Sequence, residues 1–214
     1  AVCRMNDTTT IYLIRHAATP SNEQRPRILQ GSSVNTSLSE RGFRQARRVG
    51  EFLATVKFDA ILSSPLVRAR ETAAEIATPH SLPTQDVPGL EEVDVGRWER
   101  LDWKTIERDF PDDYRRFMED PVKNGYLGGE SYGQVQDRVL PVFKSVAREH
   151  SGRQIAVVAH TVINRTLLGT FLGMDLADAQ NLAQENCCIN ILKVRDGAVS
   201  VETMNSAFHM RGLE

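Results

Sequence analysis

The chain has 214 residues, 41% of them hydrophobic and 25% charged, and its formal net charge is −2. These values are typical of a soluble globular protein and argue against a strongly basic, nucleic-acid-binding surface. No apolar run approaches the roughly 20 residues of a membrane-spanning helix. From the charge and the absence of such a run, we expect neither nucleic acid nor membrane among its partners.

Strands alternate with helices in the first half of the chain, according to the spacing of apolar residues. The predicted segments are strands over 10–15, 58–64 and 85–90 and helices over 38–56 and 65–77. The second of these helices carries two further signals at its start. Ser64 is placed to cap it, and Pro65 suits its first position.

The second half continues the alternation after a segment rich in aromatic residues. The predicted segments are one or two helices within 91–130, a helix over 132–150, a strand over 154–160, a helix over 162–173 and a hairpin over 187–205. The Asp196-Gly197 pair predicts the turn of that hairpin, because both residues tolerate the positive φ angles of a type I′ turn.

This alternation predicts a single α/β domain over 1–214, built as three layers with helices on both faces of a mostly parallel sheet. The terminal hairpin would add an antiparallel edge. Residues 91–130 are predicted to form a helical lid over a pocket, with Trp98 or Tyr126 lining it. Ordinary packing of these aromatic residues against the sheet remains the alternative.

The chain contains three cysteines, Cys3, Cys187 and Cys188. An odd number, with two of them adjacent, does not predict a disulfide framework, and residues 1–10 lack the apolar core of a secretion signal. We therefore expect a cytoplasmic protein. Cys187 and Cys188 fall in an apparent strand, so they are predicted to face opposite sides of a sheet as small apolar residues.

Four cationic or potentially cationic side chains follow strands of the predicted sheet. Arg15 and His16 end the first strand, Arg68 lies in the first turn of the helix after the second strand, and His160 ends the strand over 154–160. Ligands of open α/β sheets bind beyond the carboxyl ends of the strands, where helix N-termini favour anions. These residues together predict a cationic pocket of phosphate size.

Several motifs extend this pattern through the chain. In order, they are "RHAATPSN" (15–22), "LSERGFRQA" (38–46), "SSPLVRARETA" (63–73), "LEEVDVGRWE" (90–99), "GGES" (128–131) and "VVAH" (157–160). Their order and spacing resemble the histidine phosphatase superfamily, the phosphoglycerate mutase-like phosphatases, over about residues 10–205. The resemblance implies the phosphoglycerate mutase-like α/β fold.

The resemblance also implies roles for individual residues. His16 would be the nucleophile and form a phosphohistidine intermediate. Arg15, Arg68 and His160 would bind the phosphoryl oxygens and offset negative charge in the transition state. Glu92 would protonate the leaving oxygen and then deprotonate the attacking water. Because arginines supply the positive charge, we expect no metal and no cofactor.

Further binding residues are implied less directly. Asn22, Gln30 and Gly31 are expected to bind phosphate or substrate. Thr161 would either bind substrate or cap the following helix, and the cap is favoured. Glu91 is the competing acid, but the spacing to the following glycine favours Glu92.

The attacking imidazole must be neutral at the nitrogen that attacks, so its other nitrogen needs an acceptor. A backbone carbonyl near Ala17 or Ala18 is the expected partner. Ala17 itself departs from the family pattern, which has glycine there. Arg25 and Arg27 follow in a loop that either reaches a second anionic group of the substrate or stays a mobile surface loop.

The implied function is hydrolysis of a small phosphorylated metabolite by a histidine acid phosphatase-type phosphomonoesterase, which could form a homodimer. Two alternatives remain open: a cofactor-dependent phosphoglycerate mutase, and a catalytically inactive module that binds phosphorylated ligands. The identity of the substrate depends on the loop over 24–36 and the insert over 91–130, where sequence patterns are weakest.

Overall fold

The computed structural model describes residues 8–213, so Cys3 lies outside the described part of the chain. In this part of the chain, six strands form one sheet in the order β3-β2-β4-β1-β5-β6. They are β1 (Thr9–Arg15), β2 (Ala60–Ser63), β3 (Thr84–Asp86), β4 (Gln154–Ala159), β5 (Ile189–Arg195) and β6 (Ala198–Ser206).

The first four strands are parallel, and the terminal hairpin is antiparallel to them. In register, Ile155 of β4 lies opposite Ile11 of β1 on one side and Ala60 of β2 on the other. Asp196 and Gly197 join β5 to β6 with φ angles of 50° and 80°. These positive angles are those of a type I′ turn, as predicted from the sequence.

In the described residues, seven α-helices accompany the sheet. They are α1 (Pro20–Glu23), α2 (Glu40–Leu53), α3 (Val67–Ala77), α4 (Trp103–Asp109), α5 (Pro111–Glu119), α6 (Tyr132–Glu149) and α7 (Thr161–Phe171). Within residues 8–213, none of the helices combines the length and the apolar character that a membrane span requires.

The alternation of side chains along each strand divides the core between the two faces of the sheet. Ile11 and Leu13 pack with α6 and α7, whereas Ile14 packs with α2 and α3. The fold is therefore a mostly parallel sheet with helices on both faces, which confirms the predicted class.

The start of α3 differs from the prediction. The helix begins at Val67 after an N-cap at Leu66, and Ser64 does not cap it. The Ser64 hydroxyl oxygen accepts from the amide of Leu66 at 3.3 Å and lies 2.7 Å from His160 Nε2, in the interior of the protein. The predicted Ser64 cap is therefore wrong, and the shortest contact of the hydroxyl is to a residue distant in sequence.

The two adjacent cysteines also differ from the prediction. Cys187 lies in a turn before β5 with a φ angle of 56°, and Cys188 also precedes the strand. Both thiols are free and buried. The apolar stretch therefore starts as a turn, and the alternation of a strand does not apply to this pair.

The segment over 91–130 contains two helices, α4 and α5, and it packs against the α6 and α7 face of the sheet. Trp98 is completely buried there and meets Phe117 and Tyr126 edge-on, with ring centroids 5.5 and 5.9 Å apart. Trp98 thus serves packing, which is the alternative that the sequence left open for it.

Candidate active site

The two histidines of the predicted pocket meet at the carboxyl ends of β1 and β4. His16 follows the last residue of β1, His160 follows the last residue of β4, and the His16 amide donates to the Ala159 carbonyl at 3.0 Å. Their ring centroids lie 5.2 Å apart. Parallel pairing of the two strands therefore brings together residues that are 144 positions apart in the sequence.

His16 is buried, and its Nδ1 lies 2.7 Å from the carbonyl oxygen of Ala17. A carbonyl can only accept, so Nδ1 carries the proton and the Nε2 lone pair is available. Burial first, and then the charges of Arg68 and Arg15, hold the pKa of His16 well below its ordinary value. The ring is therefore neutral at neutral pH, with the acceptor expected from the sequence.

Arg68 is completely buried at the second position of α3. Its Nη1 donates to the Val34 carbonyl at 2.9 Å and its Nη2 to the Gly31 carbonyl at 3.1 Å. Burial lowers the pKa of Arg68 to about 10, which still leaves the guanidinium charged at neutral pH. The loop over 31–34 thus holds one fixed positive charge.

Arg15 is held from the opposite side of the site, where its Nη1 donates to the Gln184 carbonyl at 2.6 Å. Burial lowers the pKa values of Arg15 and His160. Within the site, three buried nitrogens have no hydrogen-bond partner among residues 8–213: Nε of Arg15, Nε of Arg68 and Nδ1 of His160. Buried donors without partners are costly, so this cluster favours an anionic, oxygen-rich ligand.

Glu92 lies at the N-terminus of α7, and its carboxylate is buried. It accepts from the backbone amides of Thr161 at 3.1 Å, Val162 at 3.2 Å and Val93 at 3.0 Å. Burial raises the pKa of Glu92, although these amides and the nearby arginines oppose the shift. The carboxyl group therefore keeps its proton to a higher pH than an exposed glutamate does.

The N-terminus of α7 shows that Thr161 does not cap the helix, contrary to the favoured prediction. His160 is the N-cap residue and Thr161 is the first helical residue, with no side-chain cap. Glu92 binds the free amides of the first turn instead. Thr161 lines the cavity beside the histidines, which is the position that its alternative role requires.

The remaining predicted binding residues separate into two groups. Asn22 and Gln30 line the cavity and both bond to Thr19: Asn22 Oδ1 accepts from its amide at 3.1 Å, and Gln30 Oε1 from its hydroxyl at 2.7 Å. Gly31 does not line the cavity. Its amide donates to Glu99 at 2.7 Å and its carbonyl accepts from Arg68, so Gly31 supports the site from behind.

A cavity of about 520 Å³ opens above these groups. The 91–130 insert supplies an apolar wall to this cavity. Its residues come from α4, from α5 and from the segment after α5: Trp103, Tyr114, Phe117, Met118 and Tyr126. Tyr126 thus lines the cavity, as expected, whereas Trp98 does not.

Of the charged residues considered for the site, some line the cavity and others point away from it. Glu92 is the single acidic residue that lines it among residues 8–213, and Glu91 turns away to accept from the Gly89 amide at 2.7 Å. Arg27 lines the cavity, whereas Arg25 folds back on carbonyls of its own loop. Residues 8–213 contain no group of three or more His, Cys, Asp or Glu side chains placed to hold a metal ion.

Sequence reasoning missed several polar residues that line the cavity, among them Arg165, Gln184 and Asn186. Asn186 Nδ2 donates to the His16 carbonyl at 3.0 Å and lies 3.3 Å from Asn22 Oδ1. Only Arg165 left a sequence signal, because it follows Thr161 by one helical turn and so shares its face. Gln184 and Asn186 lie in an irregular loop, where no periodicity places them.

Alanine at position 17 is accommodated without strain. Among the described residues, Ala17 is not one of those with a positive φ angle. Its methyl group is completely buried in the core beside α2 and α3, and its amide donates to the Thr72 hydroxyl at 3.0 Å. The departure from glycine therefore leaves the backbone around His16 intact.

Sequence comparisons with a family model and with two similar proteins point to phosphatases. The model of the histidine phosphatase superfamily (branch 1) matches residues 11–207. Phosphoserine phosphatase 1 of Hydrogenobacter thermophilus is 30% identical over 200 residues, which cover 94% of this chain and 93% of that protein. A metal-independent phosphoserine phosphatase of Arabidopsis thaliana is 30% identical over 208 residues, covering 96% of this chain and 84% of that protein.

Solved structures give the same result. YhfR of Bacillus stearothermophilus superimposes with a TM-score of 0.85 at 28% identity, over 94% of this chain and 99% of that one. A mycobacterial glucosyl-3-phosphoglycerate phosphatase superimposes with a TM-score of 0.82 at 25% identity, over 94% of this chain and the whole of that one. The chain belongs to branch 1 of the histidine phosphatase superfamily.

Proposed function

We propose that this protein hydrolyses the phosphomonoester of a small metabolite through a phosphohistidine intermediate on His16. One observation carries the proposal: a neutral imidazole with Nδ1 engaged by Ala17 lies beside Arg15, the buried Arg68 and a second histidine. Membership of a phosphatase family, and relatives named as phosphatases of small phosphorylated metabolites, support the same reaction.

In the first step, the Nε2 lone pair of His16 attacks phosphorus as the bond to the leaving oxygen breaks. The carboxylic acid of Glu92 gives its proton to that oxygen, so that an alcohol rather than an alkoxide departs. The raised pKa of Glu92 suits it to this donation, since the acid form persists above the ordinary range.

In the second step, a water molecule attacks the phosphorus of the phosphohistidine, and the bond between nitrogen and phosphorus breaks. The Glu92 carboxylate accepts a proton from that water, which restores the acid. Inorganic phosphate and neutral His16 are the products, and both protons are accounted for within the cycle.

The positive groups stabilise the charge that phosphoryl transfer spreads over the three non-bridging oxygens. Arg15 and Arg68 each have a buried Nε without a partner among residues 8–213, and His160 has a free Nδ1. Asn22 adds an amide at the cavity wall. Backbone carbonyls already hold the two guanidinium groups, and the Ser64 hydroxyl lies 2.7 Å from His160 Nε2, which avoids reorganisation during the reaction.

The direct test is release of inorganic phosphate from p-nitrophenyl phosphate and from a panel of phosphorylated metabolites. We expect turnover without added metal, with an optimum on the acidic side of neutrality, as an acid phosphatase-type enzyme would show. Absence of any phosphate release between about pH 5 and 8, where histidines and shifted carboxyls titrate, would favour the inactive binding module.

The mutase alternative requires a separate assay. The enzyme is supplied with 3-phosphoglycerate and a bisphosphorylated primer, and isomerisation is compared with phosphate release. Hydrolysis that exceeds isomerisation supports the phosphatase. Efficient isomerisation without release of phosphate would overturn it.

A further inference from the structure

Two arginines line the cavity outside the cluster that surrounds His16. They are Arg27, in the loop after α1, and Arg165, on α7. Neither forms an ion pair with a carboxylate anywhere in residues 8–213. Glu92 is committed to the amides at the N-terminus of α7, so the cavity has more positive charge than a phosphoryl group alone requires.

Arg165 is held in a defined position. Its Nε donates to the Leu182 carbonyl at 2.7 Å, which fixes the plane of the guanidinium. It lies one turn beyond Thr161 on α7, about 6 Å along the helix axis, and both residues line the cavity. Tyr132, another lining residue, is its neighbour: burial raises the pKa of this phenol, and the charge of Arg165 opposes that shift.

We infer that the substrate carries a carboxylate a few bonds from its phosphate ester, and that Arg165 binds this group. The inference rests on the proposed phosphatase function and specifies its substrate class. A phosphoryl dianion already has Arg15 and Arg68, so one further fixed guanidinium matches one further negative charge. The planar fork of an arginine fits the two oxygens of a carboxylate.

Arg27 adds positive charge near the pocket, but we do not assign it as the carboxylate ligand. It is exposed at the rim, and its charge, like that of Arg165, lowers the pKa of Arg15. Both guanidinium groups therefore lie within the electrostatic field of the phosphate pocket. A carboxylate between them and the phosphate would relieve this repulsion, because neither Arg27 nor Arg165 has an ion pair with a carboxylate of residues 8–213.

The test uses two pairs of esters that differ in the carboxylate alone. O-phosphoserine is compared with O-phosphoethanolamine, and 3-phosphoglycerate with glycerol 3-phosphate. For at least one pair, we expect wild-type kcat/KM to be about 10- to 100-fold higher for the carboxylated ester, the range of one charge-assisted contact. Ratios near one for both pairs would overturn the inference, as would a preference for fructose 1,6-bisphosphate over both carboxylated esters.

Variants locate the effect. Arg165→Met should reduce the preference within the favoured pair by at least tenfold, and Arg165→Lys should recover part of it. Arg44→Met, an exposed arginine on α2 outside the cavity, is the matched control and should leave the preference unchanged. An equal preference in Arg165→Met and wild type would exclude Arg165 as the carboxylate ligand.

A binding measurement keeps the inference testable if Arg165→Met fails to fold. The carboxylated product of the preferred ester should inhibit the wild-type enzyme more strongly than its counterpart without the carboxylate, and the reverse order would overturn the assignment. Wild-type turnover of p-nitrophenyl phosphate distinguishes failure of this inference from failure of the proposed phosphatase function. Turnover with no carboxylate preference contradicts this inference alone, whereas no turnover contradicts the proposed function.

Discussion

The carboxylate of Glu92 accepts a hydrogen bond from the backbone amide of Thr161, with Oε2 and the nitrogen 3.1 Å apart. Thr161 is the first residue of α7 and directly follows His160. The same turn of backbone therefore positions both His160 and the carboxyl group of Glu92, the proposed acid. Negative charge is favoured at a helix N-terminus, so α7 would stabilise the carboxylate left by the proposed proton donation.

Glu92→Gln should slow hydrolysis of alkyl phosphates by roughly 10²- to 10⁴-fold, the usual contribution of a general acid. The loss for p-nitrophenyl phosphate should be much smaller in the first step, because its leaving group needs little protonation. Burst-phase kinetics with both substrates separate the two steps. Glu91→Gln is the matched control, and equal losses for both leaving groups would remove Glu92 as the donor.

The pH dependence of kcat should reflect the proposed roles of Glu92 as the acid and His16 as the nucleophile. Because the pKa of Glu92 is raised, its acid form and the rate of alkyl phosphate hydrolysis should persist above the ordinary glutamate range and then fall as pH rises. The pKa of His16 is lowered, so protonation of the nucleophile limits the rate only at distinctly acidic pH. A pH profile of kcat tests this, and a basic limb that survives unchanged in Glu92→Gln would refute the assignment.

Glu99 is expected to act at a distance as a positioning residue for Arg68. It accepts from the Gly31 amide at 2.7 Å and from the Ser33 hydroxyl at 2.6 Å, and thereby ties the loop whose carbonyls hold Arg68. Glu99→Ala should lower kcat/KM about tenfold, because a charge-assisted hydrogen bond that orders this loop is lost.

A purely structural role for Glu99 would give a different result. It would lower thermal stability and leave KM for phosphate esters and the inhibition constant of inorganic phosphate unchanged. Glu99→Gln should restore part of the activity by keeping one acceptor. Glu107→Ala, an exposed glutamate on α4, serves as the control.

Ala17→Gly should destabilise the protein even though it restores the family residue. The methyl group is completely buried, and the φ angle of Ala17 is not positive, so glycine brings no conformational advantage. Loss of the buried methyl and the greater freedom of glycine in the unfolded chain should together cost about 1–2 kcal/mol. A decrease in Tm of roughly 2–6 °C is expected by calorimetry, and an unchanged or higher Tm would contradict the packing described for this residue.

Stability should decrease as the pH falls below the ordinary histidine range. Burial lowers the pKa values of His16 and His160 in the folded state, so below about pH 6.5 the unfolded chain binds more protons than the native protein. The free energy of unfolding should therefore fall by at most about 1.4 kcal/mol per pH unit for each such histidine. Glu92, with its raised pKa, acts in the opposite direction and loses stability as pH rises above the ordinary glutamate range.

Urea unfolding at pH 7.5 and 5.5 measures this dependence. His16→Gln should show a smaller loss between the two pH values than the wild type, because one histidine no longer titrates on unfolding. An identical loss in both proteins would show that the folded state does not suppress the protonation of His16.

The sequence predicted the sheet and its two helical layers well, because apolar spacing determines which face each element buries. It also placed Arg15, His16, Arg68 and His160 at one edge, since the carboxyl ends of parallel strands must meet there. These are consequences of chain topology, which local patterns are able to report.

The two failed capping predictions share a physical cause: a partner that is distant in sequence. Ser64 was expected to cap α3, but its hydroxyl lies against the ring of His160. Thr161 was expected to cap α7, but the Glu92 carboxylate accepts from the first amides of that helix. A local pattern cannot show that a second group competes for the same hydrogen bond. Gln184 and Asn186 were missed for the related reason that only tertiary packing brings their loop to the cavity.

The most direct measurement is detection of the phosphorylated enzyme itself. The protein is mixed with a radiolabelled phosphate ester, quenched in alkali to preserve phosphohistidine, digested and sequenced by mass spectrometry. We predict label on His16, absent from His16→Gln and retained in His80→Gln, a histidine outside the cavity. Label on another residue, or full turnover by His16→Gln, would contradict the account.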